Sequence, residues 1–271
     1  MKLDKVQKFI KEKVNEAGYN RAVIGLSGGI DSTVACYLTV AALGKENVLG
    51  VRMPYKTSSV ESLSYAELVI RNLGIDSRTI PIINIVDTFV EALPTMHLMR
   101  KGNIAARSRM IVLYDLSALY KGLVIGTGNK TEELLGYTTL YGDSACGINP
   151  LGSFYKTEIF NIAKALNVPE EIISRAPSAE LWENQTDEGE LGFTYKNIDK
   201  LLSFLVDKRY TIQKCIDIGF EKDFVLKIAK RIKQNTFKRI VPEIYYSNGN
   251  YDFVNDKNWL TDELKSFGEE F

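Results

Sequence analysis

One abrupt change of character constrains this chain more than any other feature. The apolar run "RAVIGL" (21–26) is too short for a helix and reads as a buried strand. It passes with no linker into "SGGIDS" (27–32), and residues 31–43, "DSTVACYLTVAAL", then read as a helix. A tight turn needs one glycine. Gly28 and Gly29 side by side, flanked by Ser27 and Ser32, imply that something approaches the backbone closely. A strand, a glycine-rich turn and a helix N-terminus together make an anion site, because free amides point outward and the helix dipole adds partial positive charge. The Ser27 and Ser32 hydroxyls would add donors. Asp31 is either an N-cap or a ligand-binding acid, and both roles are compatible with its place. No lysine follows the second glycine, so this is not a Walker A loop, and the spacing is not that of a dinucleotide fingerprint.

The same alternation recurs downstream. Leu3, Val6, Phe9, Ile10, Val14 and Ala17 mark a leading helix that ends at Gly18. "NVLGVRMP" (47–54) is a second strand, Leu63, Ala66, Val69, Ile70 and Leu73 a helix, and "SRTIPI" (77–82) a third strand. A mostly apolar helix at 104–120 leads to a fourth strand, "GLVIGTG" (122–128). Continuous apolar strands alternating with helices predict an α/β fold, a doubly wound parallel sheet covered on both faces. Ligands in such sheets bind beyond the carboxyl ends of the strands, where both glycine-bearing turns fall. Residues 129–153 are turn-rich and read as a functional loop or lid. Helices near 155–166, 195–206 and 221–235 make a helical C-terminal third. Without repeats or a low-complexity linker, residues 1–245 are expected to form one domain, with 246–271 a tail of no assigned role.

Bulk composition narrows the function classes. With 271 residues, 45% apolar and 25% charged, the chain can bury a sizeable core. Zero formal net charge gives no electrostatic case for nucleic acid or an anionic membrane as partner. Cys36, Cys146 and Cys215 stand far apart with no CxxC, which argues against a disulfide framework, a zinc ribbon or an iron–sulfur site. The charged N-terminus lacks the apolar centre of a signal peptide, and no segment approaches the roughly 20 apolar residues of a membrane span, so a cytoplasmic protein is expected. His97, the only histidine, reads as a packing or surface residue.

"SGGIDS" after the first strand resembles the PP-loop of the ATP pyrophosphatases, enzymes that split ATP to AMP and pyrophosphate while adenylating a substrate. "KGNIAARSRM" (101–110), "GTGNKTE" (126–132), "YGD" (141–143), "INPLGSFYKTEIF" (148–160) and "PSAELWENQTDEGELG" (177–192) follow in the order seen in ammonia-dependent NAD+ synthetases. The resemblance spans about residues 20–240 and implies a Rossmann-like sheet of the adenine nucleotide alpha hydrolase type. The implied reaction joins ammonia to the nicotinate carboxylate of deamido-NAD+, giving NAD+, AMP and pyrophosphate. Adenylation removes the carboxylate's charge and supplies a leaving group, so such an enzyme works mainly by charge stabilisation and positioning.

Carried over residue by residue, the resemblance places ATP against Gly25, Leu26, Ser27, Gly28, Gly29, Ile30, Asp31 and Ser32, with Thr127, Lys156 and Ser178 also near it and Arg52 a candidate contact. Asp31 and Glu132 match two acids that hold Mg2+, although Glu132 also suits the first turn of a helix. Asn103, Arg107 and Lys238 match positions that meet deamido-NAD+, and Arg109 is read as pointing elsewhere. Asp143 either orients or deprotonates ammonia, or is simply an Asp in a Gly-Asp turn. Three positions depart from the pattern: Phe237 replaces a His, Leu140 a Lys and Gly147 an Asp. Because residue 21 already begins the synthetase strand, free ammonia is the expected donor, unless a separate subunit delivers it. The family implies a homodimer, with helix 104–120 available to core and interface alike. Two rivals are a tRNA-modifying PP-loop enzyme, against which the absent CxxC and neutral charge speak, and a non-catalytic adenine-nucleotide module, which would not need a second acid at Glu132.

Overall fold

The structure is a computed structural model that describes residues 3–178, 189 and 192–240. Four parallel strands, β1 (Arg21–Gly25), β2 (Val48–Arg52), β3 (Asp76–Thr79) and β4 (Gly122–Ile125), lie in the order β3-β2-β1-β4. The chain therefore builds outward from β1 to β3, then crosses back to place β4 on the other side of β1. Between β1 and β4 the direction of winding reverses, and a crevice opens beyond their carboxyl ends. The register pairs Ile24 with Ile125 and Gly25 with Val51, so β1 and β4 leave the sheet side by side.

Side-chain alternation along β1 feeds two cores. Ala22 and Ile24 point into a cluster with helices α1 (Leu3–Glu16), α2 (Ile30–Leu43), α3 (Val60–Leu73) and α7 (Lys156–Ala165). Val23 points to the opposite face, against Val86 of α4 (Ile83–Ala92) and Ala105, Val112 and Leu116 of α5 (Leu98–Tyr120). Ile24 and Val23 are both fully buried, and each contributes roughly 1.5–3 kcal/mol by leaving water. A third cluster lies in the C-terminal part, where Leu135 of α6 (Lys130–Leu135) packs on α9 (Tyr195–Leu202), α10 (Ile212–Asp217) and α11 (Lys222–Gln234); α8 is the short turn Glu170–Ile173. Residues 1–238 form one compact unit; of the second, 239–271, residues 239 and 240 are described. The expected tail at 246–271 lies outside the described residues.

Four expectations change. β3 is a polar edge strand, with Asp76 and Arg78 in it, rather than a buried apolar one. The apolar residues expected to extend it continue the pairing only briefly, Ile80 N donating to Arg52 O at 2.9 Å and Ile82 N to Pro54 O at 3.0 Å, before α4 begins. Helix α5 starts at Leu98, six residues earlier than the apolar run, because His97 caps it by accepting from Met99 N through Nδ1 at 3.3 Å. The turn-rich stretch 129–153, expected as a functional loop or lid, contains α6 and is tied to the sheet near its end. Gly147 N donates to Val124 O at 2.9 Å and Gly126 N to Ile148 O at 2.8 Å, so the returning chain is laced to the end of β4.

Candidate active site

Gly28 makes the first turn possible. Its φ is +79°, and a Cβ there would stand 2.2 Å from the backbone oxygen of Ser62 in the first turn of α3. Gly29 is the N-cap of α2 and supplies no side-chain cap, so the first-turn amides of Ile30, Asp31 and Ser32 have no partner within the helix. Asp31 is thus inside the helix, not its cap. The serines turn out differently from expectation. Ser32 Oγ is buried, donates to Gly29 O at 3.0 Å and accepts from Ser27 N at 3.3 Å, bracing the turn from within. Ser27 Oγ accepts from Gly29 N at 3.2 Å and stays exposed at the surface of the turn.

Asp31 and Glu132 come together as expected, although 101 positions separate them and each follows its own strand. Between them lies a lysine. Lys156 Nζ is 2.5 Å from Asp31 Oδ2 and 3.5 Å from Glu132 Oε1, with its side chain almost wholly buried. One cation thus already reaches both carboxylates. Such hard oxygen donors, completed by phosphate and water, suit Mg2+ rather than a softer metal. Among the described residues no group of three or more His, Cys, Asp or Glu side chains gathers as a metal site, so this pair is the donor set they offer.

Asn129 organises that pair and was not foreseen. Fully buried, it caps α6 by accepting from Glu132 N at 3.0 Å, and its backbone N–H donates to Glu132 Oε2 at 3.1 Å in a capping box. Its Nδ2 donates to Asp31 Oδ1 at 2.9 Å. One side chain therefore orients both acids. Local sequence carried a signal for half of this: Asn at 129 with Glu at 132 is a capping-box spacing.

A cleft of about 580 Å³ runs from the α2 N-terminus along α5 to the wall at 136–145. Gly25, Leu26, Ser27, Gly29, Ile30, Asp31, Ser32, Asn103, Thr127, Glu132, Asp143, Lys156, Ser178 and Lys238 all line it. Gly28 lies behind the turn. Arg52 does not line the cleft; its guanidinium pairs with Glu67 on α3. Arg107 is exposed and donates to Leu140 O at 3.2 Å, outside the cleft, whereas Arg109 lines it and donates to Met53 O at 3.2 Å. The two arginines therefore exchange the placements expected of them. Arg175, another cleft-lining cation absent from the expected set, donates to Ser59 Oγ at 3.3 Å and pairs with Glu61.

At the far end Asp143 and Lys238 influence each other. Asp143 Oδ1 accepts from Thr139 N at 2.8 Å, and Lys238 Nζ donates to the carbonyls of Gly136 and Thr138 at 2.8 and 2.7 Å. Asp143 lines the cleft and is exposed there, although neighbouring protein crowds its carboxylate and strips some of its water. That desolvation raises its pKa, while Thr139's hydrogen bonds and the Lys238 charge pull the other way. Desolvation likewise lowers the pKa of Lys238, with Asp143 opposing. Asn103 Oδ1 accepts from Thr139 Oγ1 at 2.8 Å, which fastens α5 to this wall. Of the three departing positions, Phe237 is largely exposed, and at Gly147 a Cβ would come within 2.4 Å of Leu123 Cδ1. An acid could enter there only if Leu123 moved. Most of "PSAELWENQTDEGELG" beyond Ser178 lies outside the described residues.

Amides at the head of α2, with Asp31 on that helix, Glu132 beyond the exit of β4 and the buried Lys156 ammonium of α7 reaching both, place this chain among the adenine nucleotide alpha hydrolase folds, α/β proteins whose sheet edge receives a nucleotide's phosphates. Comparison with known proteins narrows the class. A family model described as NAD synthase matches residues 2–242, and the chain belongs to that family. The NH(3)-dependent NAD(+) synthetase of Pelodictyon phaeoclathratiforme is 46% identical over 259 residues, covering 94% of each chain. That of Fusobacterium nucleatum is 45% identical over 236 residues, 87% of this chain and 92% of the relative. Among solved structures, NH3-dependent NAD synthetase from Campylobacter jejuni in complex with the nitrate ion superposes with a TM-score of 0.76 at 37% identity, covering 90% of this chain and 97% of the other. NMN synthetase from Francisella tularensis gives 0.80 at 33% identity, covering 90% and 96%.

Proposed function

We propose that this chain is a ligase that amidates the nicotinate carboxylate of deamido-NAD+ with ammonia, at the expense of ATP cleaved to AMP and pyrophosphate. The observation that carries the reading is the meeting of Asp31 and Glu132 on one buried cation beside the uncapped amides of α2. A nucleotide-binding module would need the amides alone. The substrate carboxylate attacks the α-phosphorus of ATP, pyrophosphate leaves, and the acyl adenylate forms; ammonia then adds to the acyl carbon and AMP departs. The α2 amides and Lys156 take up phosphate charge, and Asp31 and Glu132 are the residues that would hold Mg2+. When bound, that ion supplies neutralisation of the phosphate oxygens as pyrophosphate leaves. Thr127, Ser178, Asn103 and Lys238 all line the cleft; on this reading the first two meet the nucleotide and the last two deamido-NAD+. Asp143 takes the proton that the attacking ammonia must lose.

Free ammonia is the donor on this reading, supported by relatives named NH(3)-dependent whose whole length the chain nearly spans. Arg107, outside the cleft, keeps a role in dinucleotide binding only if the substrate extends over Leu140. The exposed apolar face of α5 supports a homodimer. Among the described residues no helix is long and apolar enough to cross a membrane.

Pyrophosphate release is the test. With ATP, Mg2+ and deamido-NAD+, turnover is expected with ammonia and little with glutamine. Nicotinate mononucleotide belongs in the same assay, given the likeness to an NMN synthetase; faster turnover with it would overturn the choice of dinucleotide. Asp31→Asn should abolish turnover and leave the fold, and a fully active variant would remove the metal assignment.

A further inference from the structure

A carboxylate outside the cleft ties together the two turns that carry Glu132 and Lys156. Asp199, on α9, is only 5% exposed. Its Oδ1 accepts a 2.6 Å hydrogen bond from Thr131 Oγ1, and its Oδ2 accepts one of 2.8 Å from Thr157 N. Thr131 Oγ1 in turn accepts from Lys156 N at 3.0 Å. Thr131 precedes Glu132 and Thr157 follows Lys156, so each anchored residue is the chain neighbour of a charged group that lines the cleft. Among the described residues, neither Asp199 nor Thr131 lines the cleft.

Holding α6 on the C-terminal helices and α7 against the sheet does not require this tie. Leu135, Ile159 and Ile162 are fully buried and dock those helices by apolar contact. Desolvating a carboxylate is costly, and apolar side chains of like volume often hold a core as well or better. A buried acid fixes something apolar packing does not, namely the register between two backbone turns at hydrogen-bond precision. Burial raises the pKa of Asp199, and its bonds to Thr131 and Thr157 oppose that.

We propose that Asp199, acting through Thr131, is a positioning residue for adenylation: it sets the spacing of the Glu132 carboxylate and the Lys156 ammonium that face the phosphates. The inference rests on the ligase reading above. Misplacing a catalytic group by an ångström costs on the order of 100-fold.

The experiment compares Thr131→Val, Thr131→Ser and Asp199→Asn in the full chain, each checked for a cooperative melt. Pyrophosphate release gives kcat, the KM values for ATP, deamido-NAD+ and ammonia and the Mg2+ dependence, and calorimetry gives the ATP Kd. Thr131→Val should lower kcat by about 10- to 100-fold, raise the Mg2+ midpoint and the ATP Kd, and move the deamido-NAD+ KM less than about threefold. Thr131→Ser, which restores the hydroxyl, should recover wild-type behaviour, and Asp199→Asn should follow Thr131→Val. If Asp199→Asn does not fold, the threonine pair decides. Wild-type kcat and Mg2+ dependence in Thr131→Val, equal impairment in Thr131→Ser, or parallel changes in every parameter would each overturn the inference. A wild-type chain with no turnover would instead overturn the ligase reading itself.

Discussion

At the scale of single residues, the two glycines of the first turn do different work. Gly28 has a φ of +79° and a backbone oxygen 2.2 Å from where its Cβ would be, so alanine there meets both strain and collision. Gly29 has an ordinary extended backbone, and its nearest obstacle is the Ser27 hydroxyl at 3.3 Å, which can rotate away. Gly28→Ala is therefore expected to lose at least about 1 kcal/mol of stability and most ATP affinity, while Gly29→Ala melts close to wild type. Thermal melts and ATP calorimetry of the pair check this. Asp143 gives a pH prediction whose sign follows from its surroundings. Desolvation lifts its pKa, so on falling pH it takes a proton before an ordinary carboxylate would and ceases to act as a base. The acid limb of kcat/KM for free ammonia should accordingly lie above the usual carboxylate range and vanish in Asp143→Asn. Lys238's charge lowers the Asp143 pKa, so Lys238→Met should move that limb to still higher pH. A limb unmoved in both variants would remove Asp143 as the base.

At the scale of elements, what was legible was whatever lies within one turn or strand. β1, β4 and α2 announce themselves by apolar runs meeting glycine, β2 by one stopped at Pro54, and the anion-binding turn follows from the first of those meetings alone. Helix α4 was hidden because "IPIINIV" (80–86) is so uniformly apolar that its start reads as more strand. The arginines of α5 show the limit of spacing arguments: a four-residue offset puts Arg107 near Asn103, but the wall at Leu140 captures it, and Arg109's length lets it reach the cleft from the other flank. Asp199 was beyond local reading, since Thr131 lies 68 positions away, and Lys156 entered the expected set only through the resemblance, its partner Asp31 lying 125 positions away. The α6 cap carries its own prediction. Asn129→Ala removes an N-cap, worth about 1 kcal/mol, and leaves Asp31 without its amide partner. Asn129→Asp keeps the cap but sets a like charge against Asp31. Urea denaturation should find the alanine variant less stable by about 1–2 kcal/mol and the aspartate variant closer to wild type, while both lose turnover. Turnover retained in Asn129→Asp would mean that Asn129 serves α6 alone.

At the scale of the whole molecule, the parallel sheet explains why so many chemistry-bearing residues meet: every strand of it delivers its exit to one rim, and reversal of winding between β1 and β4 leaves that rim open. Among the described residues, nothing covers the opposite flank of α5. Its inner row, Ala105, Val112 and Leu116, is buried against the sheet, whereas Ile111 and Leu119 are 54% and 71% exposed, with Tyr114 beside them and the exposed Asp115 between them on the same ridge. Large apolar side chains repeated along one helix flank are the kind of patch that marks a protein contact. A two-fold pairing of α5 with its copy would bury both ridges at once, each residue meeting its counterpart's surroundings by symmetry. Sedimentation of the wild-type chain is expected to show a dimer at micromolar concentration, and Ile111→Asp, which replaces one of the two large apolar residues of that ridge and sets a second acid one turn from Asp115, a monomer with an unchanged melting profile at low concentration. A wild type that stays monomeric, or an Ile111→Asp chain that sediments as the wild type does, would leave the outer face of α5 without this partner.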